Sequence, residues 1–446
     1  MESKEFFLNT KPLKLFFIAA IPGAISMLAA SLYSIFDGIM VGNLLNDASF
    51  AAVNLAMPFV IINFAISDLI AVGSAVPISI NLGKKKDKEA DNIFTCACIL
   101  IVITGVLMGA FLYICSPMML KLMGAEGESA KYAVDYIRVY ALCSPVITSV
   151  FAMDNYLRIS GKIKMSMWLN IIMSFSIAVL EFVFLFVCKM SVWGAALANC
   201  ICMISAAVIA FYPFLRKKFQ LKLCRPKFSF SMIKTIVSCG MPTFLSNVSG
   251  RIVSVAINVI LLDLGGDPAV STYGILMYAG DMVQPVVYGI CDSLQPAIGY
   301  NWGAERYDRV KRISKCCFVA SAVASAISFI LMTVMPEVIV KLFAPNAEGA
   351  FLNEAIVALR IFAISKLLQW FCFATQSYMT AVGNSVYAGV ISISCTLIFP
   401  IVFLVVLYPL GLTGIWLNAT TTMAIVTVLS AVLLAIFNRH IKKISD

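Results

Sequence analysis

The chain has 446 residues, 33 Lys and Arg against 23 Asp and Glu, a net charge of +10 and a mean hydropathy of +0.94. Only 13% of its residues are charged and 61% are hydrophobic, about half the charge of an ordinary soluble domain. This excludes a soluble enzyme and predicts an all-α polytopic membrane protein; the basic residues lie in short loops between apolar runs, not in a patch built for nucleic acid.

The first apolar stretch, Leu13 to Leu45, is long enough to cross a bilayer and carries Pro22 and Asp37. At ~1.5 Å per residue Asp37 lies roughly 12 Å inside the apolar end, and an acid within a span marks an ion or substrate path. The alternative is that the helix stops near Phe36 and Asp37 meets water. Met1 to Thr10 is too polar for a cleavable signal peptide, so the first span is expected to act as its own insertion signal.

Twelve spans are predicted: 13–42, 50–81, 92–115, 131–159, 165–188, 192–214, 232–262, 271–299, 313–335, 353–381, 386–408 and 412–437. Of the 33 Lys and Arg, 25 fall on one side. They cluster before span 1, after spans 2, 4 (Arg158, Lys162, Lys164), 6 and 8, and after span 12. The other side has only Lys121, Lys131, Lys189 and Lys341. Both termini are therefore expected in the cytoplasm, with an even number of spans between them.

The basic loop from Arg216 to Lys234 falls at mid-chain, and residues repeat across it. At an offset of 220, Pro22 meets Pro242, Ser26 meets Ser246, Asn81 and Gly83 meet Asn301 and Gly303, and Gly194 meets Gly414. At 222, Arg138 meets Arg360 and Gly161 meets Gly383. The organisation expected is an N-lobe over 1–215 (spans 1–6), a cytoplasmic linker over 216–231 and a C-lobe over 232–446 (spans 7–12). With an even number of spans per half, the two lobes are related by a pseudo-twofold along the membrane normal, as in transporters.

Acids within apolar runs are Asp37, Asp68, Asp154, Glu181, Asp281 and Asp292, and bases are Arg138, Arg251, Arg360 and Lys366. Pairing among them is the plain structural alternative to transport. Asp37 has Ile257 at the matching repeat position, so the halves differ there. Amides and hydroxyls able to join it are Asn155 on span 4, Asn170 and Ser174 on one face of span 5, and Asn199 on span 6. Such oxygens suit a proton or Na⁺, and interhelical hydrogen bonding is their alternative use. Pro22 is a candidate hinge. Met27, Tyr33, Met57 and Tyr278 are candidates for a substrate-cavity lining, with ordinary packing as the alternative. The fourteen cysteines show no zinc spacing, and the single histidine, His440, reads as a solvated tail residue. HExxH, Walker and Gly-x-Ser-x-Gly patterns are missing, so no enzyme activity and no cofactor are expected, and uphill transport would draw on an ion gradient.

Specific stretches resemble the multidrug and toxic compound extrusion (MATE) family: Pro22 through Tyr33, Asp37, Val41 and Gly42; Gly73-Ser74 with Ser79, Gly83 and Lys84; Leu157-Arg158 with Gly161-Lys162; Gly194-Ala195-Ala196; and, most distinctively, Gln295 to Ala304. The resemblance implies a V of two six-helix lobes that exports drug-like, often cationic compounds against inward H⁺ or Na⁺. It also implies an N-lobe ion site at Asp37 with Asn155, Asn170, Ser174 and Asn199; a cell (inner) membrane location and a monomer are separate expectations. Many relatives have an acid at Ser174 and threonine at Asn199, which leaves Asp37 as the main carboxylate, helped by Glu181 two turns beyond Ser174. Spans 7 and 10 carry Arg251, Gln369 and Gln376 where some members place acids, so no C-lobe cation site is expected. The rival reading is a lipid-linked oligosaccharide flippase of the same superfamily, which Arg251, Arg360 and Lys366 keep open.

Overall fold

Hydrocarbon offers a backbone N–H or C=O no partner, so long apolar runs become helices that satisfy those groups internally. The computed structural model describes residues 3–44, 47–345 and 347–445, and every regular element among them is helical. The side chains of Ile35, Val41 and His440, among others, lie outside the description, and with them the solvated reading of His440.

Ten helical runs among the described residues are long and apolar enough to cross a membrane. Two of these have length for two crossings, Phe230–Gly303 with 74 residues and Ser385–Arg439 with 55. The first is broken at Gly266 (φ 62°) and the second at Gly411 (φ 61°), left-handed conformations that glycine adopts without a Cβ clash. These breaks fall between predicted spans 7 and 8 and between spans 11 and 12, so all twelve predicted spans are present as helix.

Span 1 runs unbroken through Pro22 as Pro12–Leu44, so Asp37 lies inside a helix and not beyond its end. Span 4 is one helical run, Gly127–Ile159, through Thr148, whose N–H donates to the Ser144 carbonyl at 3.2 Å. Span 5, Ile163–Phe182, passes into a π-turn at Val183–Val187. Span 8 is interrupted at Met282 and Val283, before Gln284–Gly303.

The chain divides into two compact units. The first comprises Met1–Lys11, Ile25–Phe244 and Gly299–Tyr307, and the second Pro12–Ala24, Leu245–Ile298 and Asp308–Asp446. In the first, Tyr136, Tyr140, Val150, Ala196 and Cys200 are buried in the core between spans 2, 4 and 6. Its amino-terminal helix, Ser3–Asn9, is docked: Phe7 is buried against Tyr300, ring centroids 4.8 Å apart, and Asn301 donates to the Phe7 carbonyl at 3.1 Å. The basic linker is also tied down. Asp91, Asn92 and Thr95 on span 3 accept from the backbone N–H groups of Lys222, Lys227 and Cys224 at 2.8, 2.8 and 3.1 Å. In the second unit, Leu261, Leu359, Phe362 and Trp416 lie in the buried core.

The repeat read from the sequence reappears as matched contacts. Asn170 donates to Ser26 at 2.8 Å in the first unit, and Ser246 and Ser392 share a hydrogen bond of 2.7 Å in the second, at the same offsets of 220 and 222. Within the first unit, a Cβ on Gly83 would run into the Tyr300 carbonyl, and one on Gly303 into that of Ile80. The two helices therefore touch backbone to backbone at a reciprocal pair of glycines. Gly303→Ala is expected to destabilise this packing by about 1–3 kcal/mol through overpacking. Gly250→Ala, with nothing within 4 Å of the added carbon, is expected to be neutral or mildly stabilising. Thermal unfolding of the purified variants in detergent checks both.

Candidate functional site

One helical turn of span 1 places Tyr33 above Asp37, because residues four apart share a helix face. The Tyr33 hydroxyl donates to Asp37 Oδ1 at 3.2 Å and faces Glu181 Oε2 at 3.5 Å, while Asn199 Nδ2 donates to that hydroxyl at 2.8 Å. Asp37 and Glu181 therefore meet at one hydroxyl. Glu181 is 0% exposed, and its Oε1 has no hydrogen-bond partner among the described residues. The π-turn of span 5 starts two residues after Glu181, and such bulges recur at functional sites because they re-aim the residues beside them. The donor set is two carboxyl groups, a phenol and an amide, which can hold a proton or a hard monovalent cation. No group of three or more His, Cys, Asp or Glu that could hold a metal ion occurs among the described residues.

A second polar cluster lies beside it. Arg158 pairs with Asp154 at 2.7 Å, with side chains 3% and 14% exposed. Ser166 donates to Asp154 Oδ1 at 2.5 Å and accepts from Arg158 Nε at 3.2 Å. Asn170 donates to Asp154 at 2.9 Å as well as to Ser26. Arg158, counted by sequence among the loop cations, is thus a buried partner of a span acid.

Of the residues expected around Asp37, the fold brings Glu181 and Asn199 to the Tyr33 hydroxyl that Asp37 shares. Asn170 joins the Asp154 cluster instead, and Asn155 donates to the Phe151 carbonyl of its own helix at 3.1 Å. Ser174 is buried, 6% exposed, between Asn170 and Glu181 on span 5. Tyr33, read as cavity lining, is the hub of the acid pair; its i, i+4 spacing from Asp37 was the available signal. Pro22 is buried and Met27 half-buried. Met57 packs on the core of the first unit. Tyr278 is 52% exposed, stacks on Phe343 with centroids 5.5 Å apart, and lines a cavity of about 570 Å³. Asp292 accepts from Gln295 at 2.9 Å and from Ser377 at 3.2 Å.

Twelve membrane-length helical segments among the described residues, in two repeats, with Glu181 buried beside a half-buried Asp37 in the first, have the architecture of a multi-pass membrane transporter. The family model MatE matches residues 22–187 and again 242–406, two copies whose starts are 220 residues apart. The chain belongs to the MatE family. It is similar to the multidrug export protein MepA of Staphylococcus haemolyticus, 26% identical over 89% of this chain and 87% of the relative. The MepA of Staphylococcus saprophyticus is 25% identical over 93% and 92%. A crystal structure of MATE in complex with MaL6 shares the fold with a TM-score of 0.93, at 22% identity over 99% of this chain and 100% of that one. An outward-facing multidrug resistance MATE family transporter of the MOP superfamily matches with a TM-score of 0.92 at 21% identity, over 98% of each chain.

The Asp154–Arg158 pair is a structural element by its geometry. Arg158→Met strands a buried carboxylate and is expected to cost about 3–5 kcal/mol, seen as a lowered unfolding temperature and reduced yield of monodisperse protein. Asn155→Ala is expected to leave both unchanged.

Proposed function

We propose that this protein is a proton-driven antiporter that exports drug-like organic cations across the cell membrane, as a monomer, without a cofactor and with both termini in the cytoplasm. The observation that carries the reading is the Asp37–Glu181 pair on one Tyr33 hydroxyl, with Glu181 Oε1 buried and unbonded. Two neighbouring carboxylates in a medium of low dielectric do not both ionise without a cation to balance them. Two carboxyl groups gathered on one hydroxyl can share a single proton between them, which supports H⁺ over Na⁺. The relatives' name, multidrug export protein, supports the substrate class.

In this mechanism the ionised pair attracts an organic cation. A proton arriving from outside neutralises the pair, removes that attraction and releases the substrate. Tyr33 and Asn199 hold the carboxyl groups so that the proton is exchanged at a fixed place. Pro22, four helical turns from Asp37, leaves one backbone carbonyl of span 1 without its usual donor and is the point where the helix bends when the acid changes charge.

Uptake of a fluorescent cationic dye by everted vesicles, under imposed pH or Na⁺ gradients, tests the reading. Asp37→Asn and Glu181→Gln are each expected to lose pH-driven transport by about 100-fold, the scale of a lost proton-transfer group. A Na⁺ gradient alone is expected to drive nothing in the unaltered protein. Full pH-driven uptake by Asp37→Asn would remove the acid from coupling, and uptake driven by Na⁺ alone would replace the proton with that ion.

A further inference from the structure

An ammonium group in mid-membrane is costly and is kept where it has a task or a compensating partner. Lys366, at the centre of the span 10 helix Gly349–Ala381, is such a group. Its Nζ donates to Gln284 Oε1 at 2.7 Å and Gln369 Oε1 at 2.9 Å, and lies 4.7 Å from the centroid of the Phe362 ring. These partners are neutral; the acid acting electrostatically on Lys366 is Asp281, which lies within reach of Arg251 as well. Gly280 makes the room: a Cβ there would lie 3.1 Å from Lys366 Cε and 3.2 Å from Nζ.

The lysine faces the interruption of span 8. Gly280 and Asp281 end one helical segment, Gln284 opens the next, and Met282 and Val283 lie between. Irregular backbone at membrane depth is sustained where it lines a site, and interrupted spans are where transporters bind. A cavity of about 20 Å³ lies at this place, lined by Gln284, Tyr288, Lys366, Gln369, Trp370 and Phe373 among others. That is room for one water-sized oxygen. Its walls are aromatic, with Tyr288 and Phe373 centroids 4.0 Å apart. Ser325 donates to the Lys366 carbonyl and anchors the lysine's backbone.

The first repeat has no such arrangement. At the offsets set by the paired serine and asparagine contacts, Gln284 corresponds to Phe64, Lys366 to Ser144 and Gln369 to Ile147. Span 2 runs unbroken past Phe64 as Asp47–Gly83. Ser144 does donate to Asn63, beside Phe64, at 3.0 Å, so both repeats keep a polar contact at this place; the cation and the break in the facing span belong to the second repeat alone.

We propose that Lys366 is the anchor of a second binding subsite, in the carboxy-terminal repeat, for substrates that carry a carboxylate on an aromatic ring. The carboxylate pairs with the Lys366 ammonium in place of the amide oxygens of Gln284 and Gln369, and the ring enters between Tyr288, Trp370 and Phe373. In the present state the cavity takes only a carboxylate oxygen, and admission of the ring requires the Tyr288–Phe373 pair to part. This subsite stands apart from the acid pair of the first repeat and does not rest on the antiport reading.

Equilibrium binding of radiolabelled 2-naphthoate to the purified full chain in nanodiscs of zwitterionic lipid tests it, with the neutral isostere 2-naphthamide in parallel. The unaltered protein is expected to prefer naphthoate by about tenfold or more, the scale of one charged hydrogen bond. Lys366→Met is expected to lose that preference and Lys366→Arg to keep most of it. Asp37→Asn is expected to bind naphthoate as the unaltered protein does, even where its ion-driven efflux is gone. Equal binding of naphthoate and naphthamide by the unaltered protein overturns the proposal, whatever the folding of the variants. Undiminished naphthoate binding by folded Lys366→Met also overturns it, and loss of naphthoate binding in folded Asp37→Asn overturns its independence from the acid pair.

Discussion

A solvent that makes no hydrogen bonds governs this molecule. Every backbone polar group in the hydrocarbon must be satisfied by its own helix, and every ionisable side chain must be matched by protein. Departures from a plain apolar helix are therefore informative. Two of them stand close to ionisable groups. The π-turn at Val183–Val187 follows Glu181, and the break at Met282 and Val283 faces Lys366. A stretch of helix that gives up its regular hydrogen bonds supplies polar backbone and a changed side-chain direction, both of which a buried charge uses.

The charged groups are held in two different ways. Asp154 and Arg158 form a closed pair whose remaining hydrogen-bonding capacity is taken up by Ser166 and Asn170. Such a pair has little reason to change state, because separating it leaves two charges in a low dielectric. Asp37 and Glu181 are two acidic groups on a shared hydroxyl, and one oxygen of Glu181 has no hydrogen-bond partner among the described residues. The contrast between a satisfied and an unsatisfied cluster, a short distance apart in sequence on span 5, is what the proposed coupling role rests on.

Duplication explains how both arise in one chain. The two repeats keep their architectural contacts: Ser26 with Asn170 matches Ser246 with Ser392, and Gly83 and Gly303 occupy reciprocal places. They differ in chemistry. Tyr33, Asp37 and Glu181 correspond to Val253, Ile257 and Phe403, while Gln284 and Lys366 correspond to Phe64 and Ser144. Packing constrains both copies equally, whereas a buried charge is costly in each copy and persists only in the copy that uses it.

The number of spans, their positions and the internal repeat were legible in the sequence because they rest on local hydropathy and on loop residues that recur at a nearly constant spacing. Gly266 and Gly411 mark breaks that hydropathy already placed between spans. The partners of individual polar groups were decided by tertiary structure. Asn170 and Ser174 share a helix face, yet Asn170 turns to Asp154 and Ser26, and it is Glu181, further along the same helix, that reaches the Tyr33 hydroxyl shared with Asp37. Arg158 reads as a loop cation and is buried, and the polar amino-terminal segment docks through Phe7. Such choices depend on how far each helix is rotated about its axis and how closely its neighbours approach. These quantities are set jointly by packing between residues far apart in the chain, and no local window of sequence contains them.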